Sequence, residues 1–157
     1  MATQLWLLRH GEAEPHGDRP DAERRLTRRG EEQSRAAGRA LAGLDIRFHL
    51  VFTSPRVRAL DTARLALEAL GSELVVHDPL GGSFDADEAL VLAASGGDDQ
   101  RTMLVGHNPD FEQVVHDLTG AEVDLKKGGI AGIRLTGARR GELVALLRPR
   151  EVDRLAR

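Results

Sequence analysis

Three short apolar runs break abruptly into polar residues, and this constrains the fold more than any other feature of the chain. Leu5-Trp6-Leu7-Leu8 runs into Arg9-His10-Gly11-Glu12. Leu50-Val51-Phe52-Thr53 runs into Ser54-Pro55-Arg56-Val57-Arg58. Thr102-Met103-Leu104-Val105 runs into Gly106-His107-Asn108-Pro109. A short continuous apolar run bounded by turn residues is how a strand buried on both faces reads. Such strands belong to parallel sheets with helices packed above and below.

Helical spacing fills the intervals. Thr27 caps a helix expected over Arg28 to Ala42, with Gln33, Ala36, Ala37, Ala40, Leu41 and Leu44 on its buried face and Gly43 at its end. Ser54-Pro55 reads as an N-cap and first helical residue of a helix through Leu70, lined by Leu60, Ala63, Leu67 and Leu70. Leu74-Val75-Val76 is a further strand. Asp85-Ala86-Asp87-Glu88 has the form of a capping box, opening a helix to about Ala94. Asn108-Pro109 opens another, to about Leu118. Ile130 to Leu135 and Glu142 to Leu147 form a hairpin turning over Gly137 to Gly141, and Pro149 to Arg157 is a charged tail or a short helix. The polar stretch Glu12 to Arg25 is a long loop. The expected class is therefore α/β, a three-layer α/β/α sandwich with a mostly parallel central sheet and an antiparallel edge strand from the hairpin. A length of 157 residues fits one domain spanning 1–157.

Composition excludes several functions. The absence of cysteine removes disulfides, thiolate metal ligands and a cysteine nucleophile. A net charge of -3, 3% aromatic residues and no tyrosine argue against a nucleic-acid platform or an anionic membrane surface. The run Leu5 to Leu8 is too short for a signal peptide or a membrane span, so a cytoplasmic protein is expected.

If the three runs are parallel strands, their carboxyl ends share one sheet edge, where ligands of open α/β sheets bind. Arg9, His10, Arg58 and His107 then converge. Helix N-termini follow two of the strands and favour an anion, and arginine forks match phosphate oxygens. Arg9-His10-Gly11 alone fits a strand that merely ends as well as it fits a site; the three like strand ends together favour the site. A neutral imidazole is a competent nucleophile. Arginines can supply the charge that phosphoryl transfer needs, so neither metal nor cofactor is expected.

The chain resembles the histidine phosphatase superfamily, in the branch shared with cofactor-dependent phosphoglycerate mutases, and is most similar to the small SixA-type phosphohistidine phosphatases. The resemblance is carried by Leu8 to Glu12, Leu26-Thr27 with Gly30, Thr53-Ser54-Pro55 with Arg58 and Thr62-Ala63, Val105 to Asn108, and Gly129 to Ala131. It implies that His10 is the phosphorylated nucleophile, that Arg9 and Arg58 grip the phosphoryl oxygens, and that His107 donates to the same group. Arg56 lies off the motif position and is read as surface. Asp61 stands where many relatives carry Gln and either orients Arg58 or faces water.

The general acid is open at this point. Asp85 is the candidate, although a bare N-cap is its simpler role; Glu12 is nearer to His10 in sequence. Glu12, His16, Asn108 and Lys126, with Lys127 beside it, are candidate rim residues. His49, His77 and His116 fit no motif and are read as structural. The expected activity is metal-independent hydrolysis through a phosphohistidine at His10, on a phosphohistidine protein. The alternatives are a small phosphate ester or sugar phosphate as substrate, or a non-catalytic phosphate- or protein-binding module. The chain is short, so a shallow, open pocket is expected; a monomer or weak dimer is the expected state of assembly.

Overall fold

The computed structural model describes residues 2–17 and 19–157. Six strands form one sheet: β1 (Gln4–Arg9), β2 (Leu50–Thr53), β3 (Glu73–Val76), β4 (Arg101–Gly106), β5 (Ile130–Gly137) and β6 (Arg140–Leu147). Their spatial order is β3-β2-β4-β1-β5-β6. β4 pairs in parallel with both β1 and β2, and β3 extends the parallel set beyond β2. β5 runs antiparallel to β1 and to β6. The one reversed strand thus lies just inside the edge, and β6 is the edge itself.

Alternation along β1 sends Leu5 and Leu7 to one face and Trp6 and Leu8 to the other, which is why the run is apolar throughout. The helices are α1 (Arg28–Gly43), α2 (Val57–Leu70), α3 (Ala86–Ser95), α4 (Asp110–Thr119) and α5 (Pro149–Leu155). On the Trp6 face, Ala36, Ala40 and Leu41 of α1, Ala59, Ala63 and Ala66 of α2, and Val152 of α5 pack on Val51 and Met103. On the Leu7 face, Ala89 and Leu92 of α3 and Phe111 and Val114 of α4 pack on Phe52 and Leu104. Each fully buried Leu, Val or Phe contributes about 1.5–3 kcal/mol. Among the described residues no helix is long and apolar enough to cross a membrane.

Several local expectations hold. Thr27 accepts a hydrogen bond from the Gly30 N–H at the start of α1, and Asp85 makes a reciprocal capping box with Glu88 at the start of α3. The tail forms α5, docked by Val152. Two helix starts differ. α2 begins at Val57 rather than Pro55, and the Ser54 hydroxyl, which accepts from the Arg56 N–H, also meets the buried His107 ring. α4 begins at Asp110, and the Asn108 amide donates to the Leu125 carbonyl instead of serving as N-cap. Leu44 is exposed because α1 ends at Gly43, one residue before the apolar stripe would return to the core.

One close approach needs glycine. The backbone after β1 runs against the first turn of α1, and a Cβ on Gly30 would overlap the Glu12 carbonyl oxygen. Glu12 is fixed in the same place by its N–H, which donates to Gln33 Oε1 at 2.9 Å.

Candidate active site

β1 ends on Arg9, and His10 follows it at the sheet edge. The backbone there is held from both sides. The His10 N–H donates to the Gly106 carbonyl of β4, and the Gly128 N–H reaches the carbonyls of Arg9 and His10. The Gly11 N–H donates to Thr62 Oγ1 of α2 at 3.1 Å. His10 is 6% exposed.

Its ring is oriented by its own chain. His10 Nδ1 lies 2.7 Å from the Gly11 carbonyl oxygen. A carbonyl can only accept, so Nδ1 carries the proton and Nε2 keeps a free lone pair. Burial pulls the His10 pKa down to about 4; the Gly11 carbonyl opposes the shift, and Arg58, Arg9 and Lys127 add to it. The ring is neutral near pH 7.

Two arginines stand beside it. Arg9 donates through Nη1 to the Leu125 carbonyl at 3.0 Å. Arg58, in the first turn of α2, donates through Nη1 to the Asp21 carbonyl at 2.7 Å and through Nη2 to Asp21 Oδ2 at 3.3 Å. The Nε atoms of both are buried without a partner among the described residues. Both guanidinium-bearing side chains border one cleft, where paired arginines suit an anion.

Asp21 is the residue that sequence reasoning missed. It opens a three-residue 3₁₀ turn (Asp21–Glu23) inside the expected long loop. Its carboxylate also meets Arg24 Nε at 3.0 Å, His16 Nδ1 at 3.5 Å and the Arg56 guanidinium. Arg56, read as surface, is half-buried, and its Nε donates to the Gly81 carbonyl at 2.7 Å. Burial opposes ionisation of Asp21, but the arginines outweigh it and hold its carboxyl below the usual range. The excess of arginines near two motif arginines was the available signal that a counter-charge must lie close.

His107 follows β4 and is 8% exposed. Its ring centroid is 5.2 Å from that of His10, with 55° between the planes. Its Nε2 lies 2.8 Å from Ser54 Oγ. Burial takes its pKa down to about 3, helped by His10, Arg58 and Arg56 and opposed by Asp21.

These groups line one cleft of about 680 Å³. Arg9, His10, Arg58 and His107 all border it, as the sequence predicts. So do the expected rim residues Glu12, His16 and Asn108. Two expectations need correction. Lys126 is turned away into an ion pair with Asp124 at 2.8 Å, and it is Lys127 that borders the cleft. Asp85 does not border it; its carboxylate accepts from the Glu88 N–H and closes the capping box of α3. Asp61 faces water and pairs with Arg64 at 3.7 Å. His77 packs edge-on between Phe52 and Phe84. No group of three or more His, Asp or Glu among the described residues could hold a metal ion.

The arrangement offers a neutral nucleophilic nitrogen beside a cationic, water-accessible anion site. Comparison with known proteins agrees with that chemistry. A sequence profile of the histidine phosphatase superfamily (branch 1) matches residues 5–82. A protein of Picosynechococcus with no assigned activity is 35% identical over 144 residues, covering 87% of each chain. The 2,3-bisphosphoglycerate-dependent phosphoglycerate mutase of Rhizobium meliloti is 40% identical over 78 residues, which span 45% of this chain and 35% of the mutase. The protein histidine phosphatase SixA, solved with tungstate, superposes with a TM-score of 0.85 at 22% identity, over 95% of this chain and 99% of that one. With the Arg9-His10-Gly11 strand end and the paired histidines in place, the chain belongs to the histidine phosphatase superfamily.

Proposed function

We propose that this chain is a phosphatase that takes a phosphoryl group onto Nε2 of His10 and passes it to water, with protein phosphohistidine as its substrate. One observation carries the reading: the free Nε2 of a neutral His10 belongs to a ring that borders the same cleft as the Arg9 and Arg58 side chains. In the first step Nε2 attacks phosphorus, an N–P bond forms, and the bond to the leaving imidazole breaks as that imidazole is protonated. In the second, water attacks the phospho-His10, the N–P bond breaks, inorganic phosphate leaves, and the surplus proton goes to solvent. Arg9, Arg58 and the His107 ring stabilise charge on the equatorial oxygens, where preorganised donors contribute most.

The placement of two carboxylates supports this substrate class. Asp21 is committed to arginines and Asp85 to a helix cap, so neither is free to protonate a poor leaving group. Phosphohistidine needs little such help, because its P–N bond is labile once the leaving ring is protonated. One observation favours a second reading: Glu12 borders the cleft and offers the acid that a small phosphate ester would require.

The test is a side-by-side turnover assay of a phosphohistidine protein and a panel of phosphate esters, with His10→Ala as the blank and a chelator present. Fast release from phosphohistidine with slow ester turnover is expected. The reverse pattern would establish the ester reading. Phosphate binding without turnover of either would make the protein a binding module.

A further inference from the structure

Ser54 ends β2, is completely buried, and takes no part in the steps above. Among the described residues its Oγ has two partners: the Arg56 N–H at 3.1 Å and His107 Nε2 at 2.8 Å. An N–H can only donate, so Oγ accepts from Arg56. The hydroxyl hydrogen then has one acceptor within reach, the imidazole Nε2. If Nε2 carried a proton, the hydroxyl hydrogen would be buried and unpaired, which folded proteins avoid. Nε2 is therefore the acceptor, and the proton sits on Nδ1. Among the described residues His107 Nδ1 has no partner, and it is not among the sealed polar atoms, so it reaches the cleft that the ring borders.

We propose that Ser54 is a positioning residue that locks His107 as the neutral Nδ1–H tautomer and points that N–H at the phosphoryl group; the proposal rests on the phosphatase reading. His10 and His107 then share one tautomer but present opposite faces. His10, held by the Gly11 carbonyl, shows a lone pair to phosphorus, and His107, held by Ser54, shows a donor to oxygen. The other tautomer of His107 would aim a bare lone pair at the phosphoryl oxygens and offer a rival nucleophile 5.2 Å from the first ring. Burial keeps His107 from taking a second proton near neutral pH.

The tautomer is read by long-range ¹H–¹⁵N NMR on the resting wild-type protein at pH 7, with and without vanadate. The expected spectrum shows His107 with a protonated Nδ1 and a bare Nε2. A protonated Nε2, or an imidazolium, overturns the proposal whatever the variants do. Ser54→Ala is expected to give mixed His107 tautomers, with vanadate affinity and kcat down on the order of tenfold or more. Ser54→Thr keeps the hydroxyl and is expected to keep the wild-type tautomer. A folded Ser54→Ala with an unchanged His107 tautomer sinks the assignment. Because the tautomer is read without substrate, a failed turnover assay counts against the phosphatase reading and not against this readout.

Discussion

Asp21 grips Arg58 twice, with its backbone carbonyl 2.7 Å from Nη1 and its carboxylate 3.3 Å from Nη2. The segment between β1 and α1 thereby sets the orientation of a guanidinium that belongs to α2. Arg58 is 6% exposed, so its fork has few other ways to be satisfied. Asp21→Ala removes the carboxylate from three arginines at once, and from the neighbouring His16 ring. The expected result is a 10–100-fold loss of kcat/KM, an order of magnitude consistent with loss of an orienting partner. Asp21 is itself substantially exposed, so the melting temperature is expected to change little. Wild-type kcat/KM in the variant would show that Arg58 needs no such anchor.

The pH profile follows from the burial of the histidines. His10 attacks only as the neutral base, so activity is lost as pH falls through its pKa. That value is drawn down to about 4, so kcat/KM is expected to hold its plateau well below pH 6 instead of breaking near 6.5. Stability moves in the same direction. Both rings resist protonation when folded but accept it near pH 6.5 when unfolded. The unfolded state then binds more protons as pH falls from about 6.5 towards 4, and folding weakens across that window. Initial rates recorded beside circular dichroism separate the two effects. An acid limb at pH 6.5 with the fold intact would contradict the buried, neutral His10.

Much of this was legible from the chain alone, for identifiable reasons. β1, β2 and β4 are buried on both faces, so each reads as a continuous apolar run and its polar end stands out. Thr27 and Asp85 are caps whose partners lie three residues away, within the reach of local pattern. What escaped was tertiary. Asp21 meets Arg58 across 37 positions and Ser54 meets His107 across 53. Ser54-Pro55 has the local form of a helix start, and nothing in that form shows that the hydroxyl also meets a buried imidazole. Lys126 and Lys127 are equivalent by pattern, and only the turn that pairs Lys126 with Asp124 separates them.

Gly30 is expected to be intolerant of a methyl group. In an exposed helix, glycine to alanine gains about 1 kcal/mol. Here the new Cβ would overlap the Glu12 carbonyl, a backbone atom that cannot rotate aside. Overpacking of this kind costs about 1–3 kcal/mol, so the clash outweighs the helix gain. Gly30→Ala is expected to be less stable in denaturant titration. It is also expected to lose activity, because Glu12 and the segment leading to Asp21 must shift. Unchanged stability would mean that α1 can slide away from the backbone after β1.

The two candidate carboxylates for the general acid, Asp85 and Glu12, can be told apart by isosteric amides. Asp85 borders no part of the cleft and accepts from the Glu88 N–H at 3.0 Å. Asparagine caps a helix about as well as aspartate, so Asp85→Asn should leave both stability and turnover near wild type. A tenfold drop in turnover with the fold intact would return Asp85 to the chemistry. Glu12 borders the cleft, and its side chain makes no hydrogen bond among the described residues. If it donates a proton to an alkoxide, Glu12→Gln lowers ester turnover by roughly 10²–10⁴-fold. Phosphohistidine loses a far better leaving group and should be hydrolysed by the same variant at close to the wild-type rate. Equal losses on both substrates would place Glu12 in binding or positioning, since a proton donor acts only where the leaving group needs one.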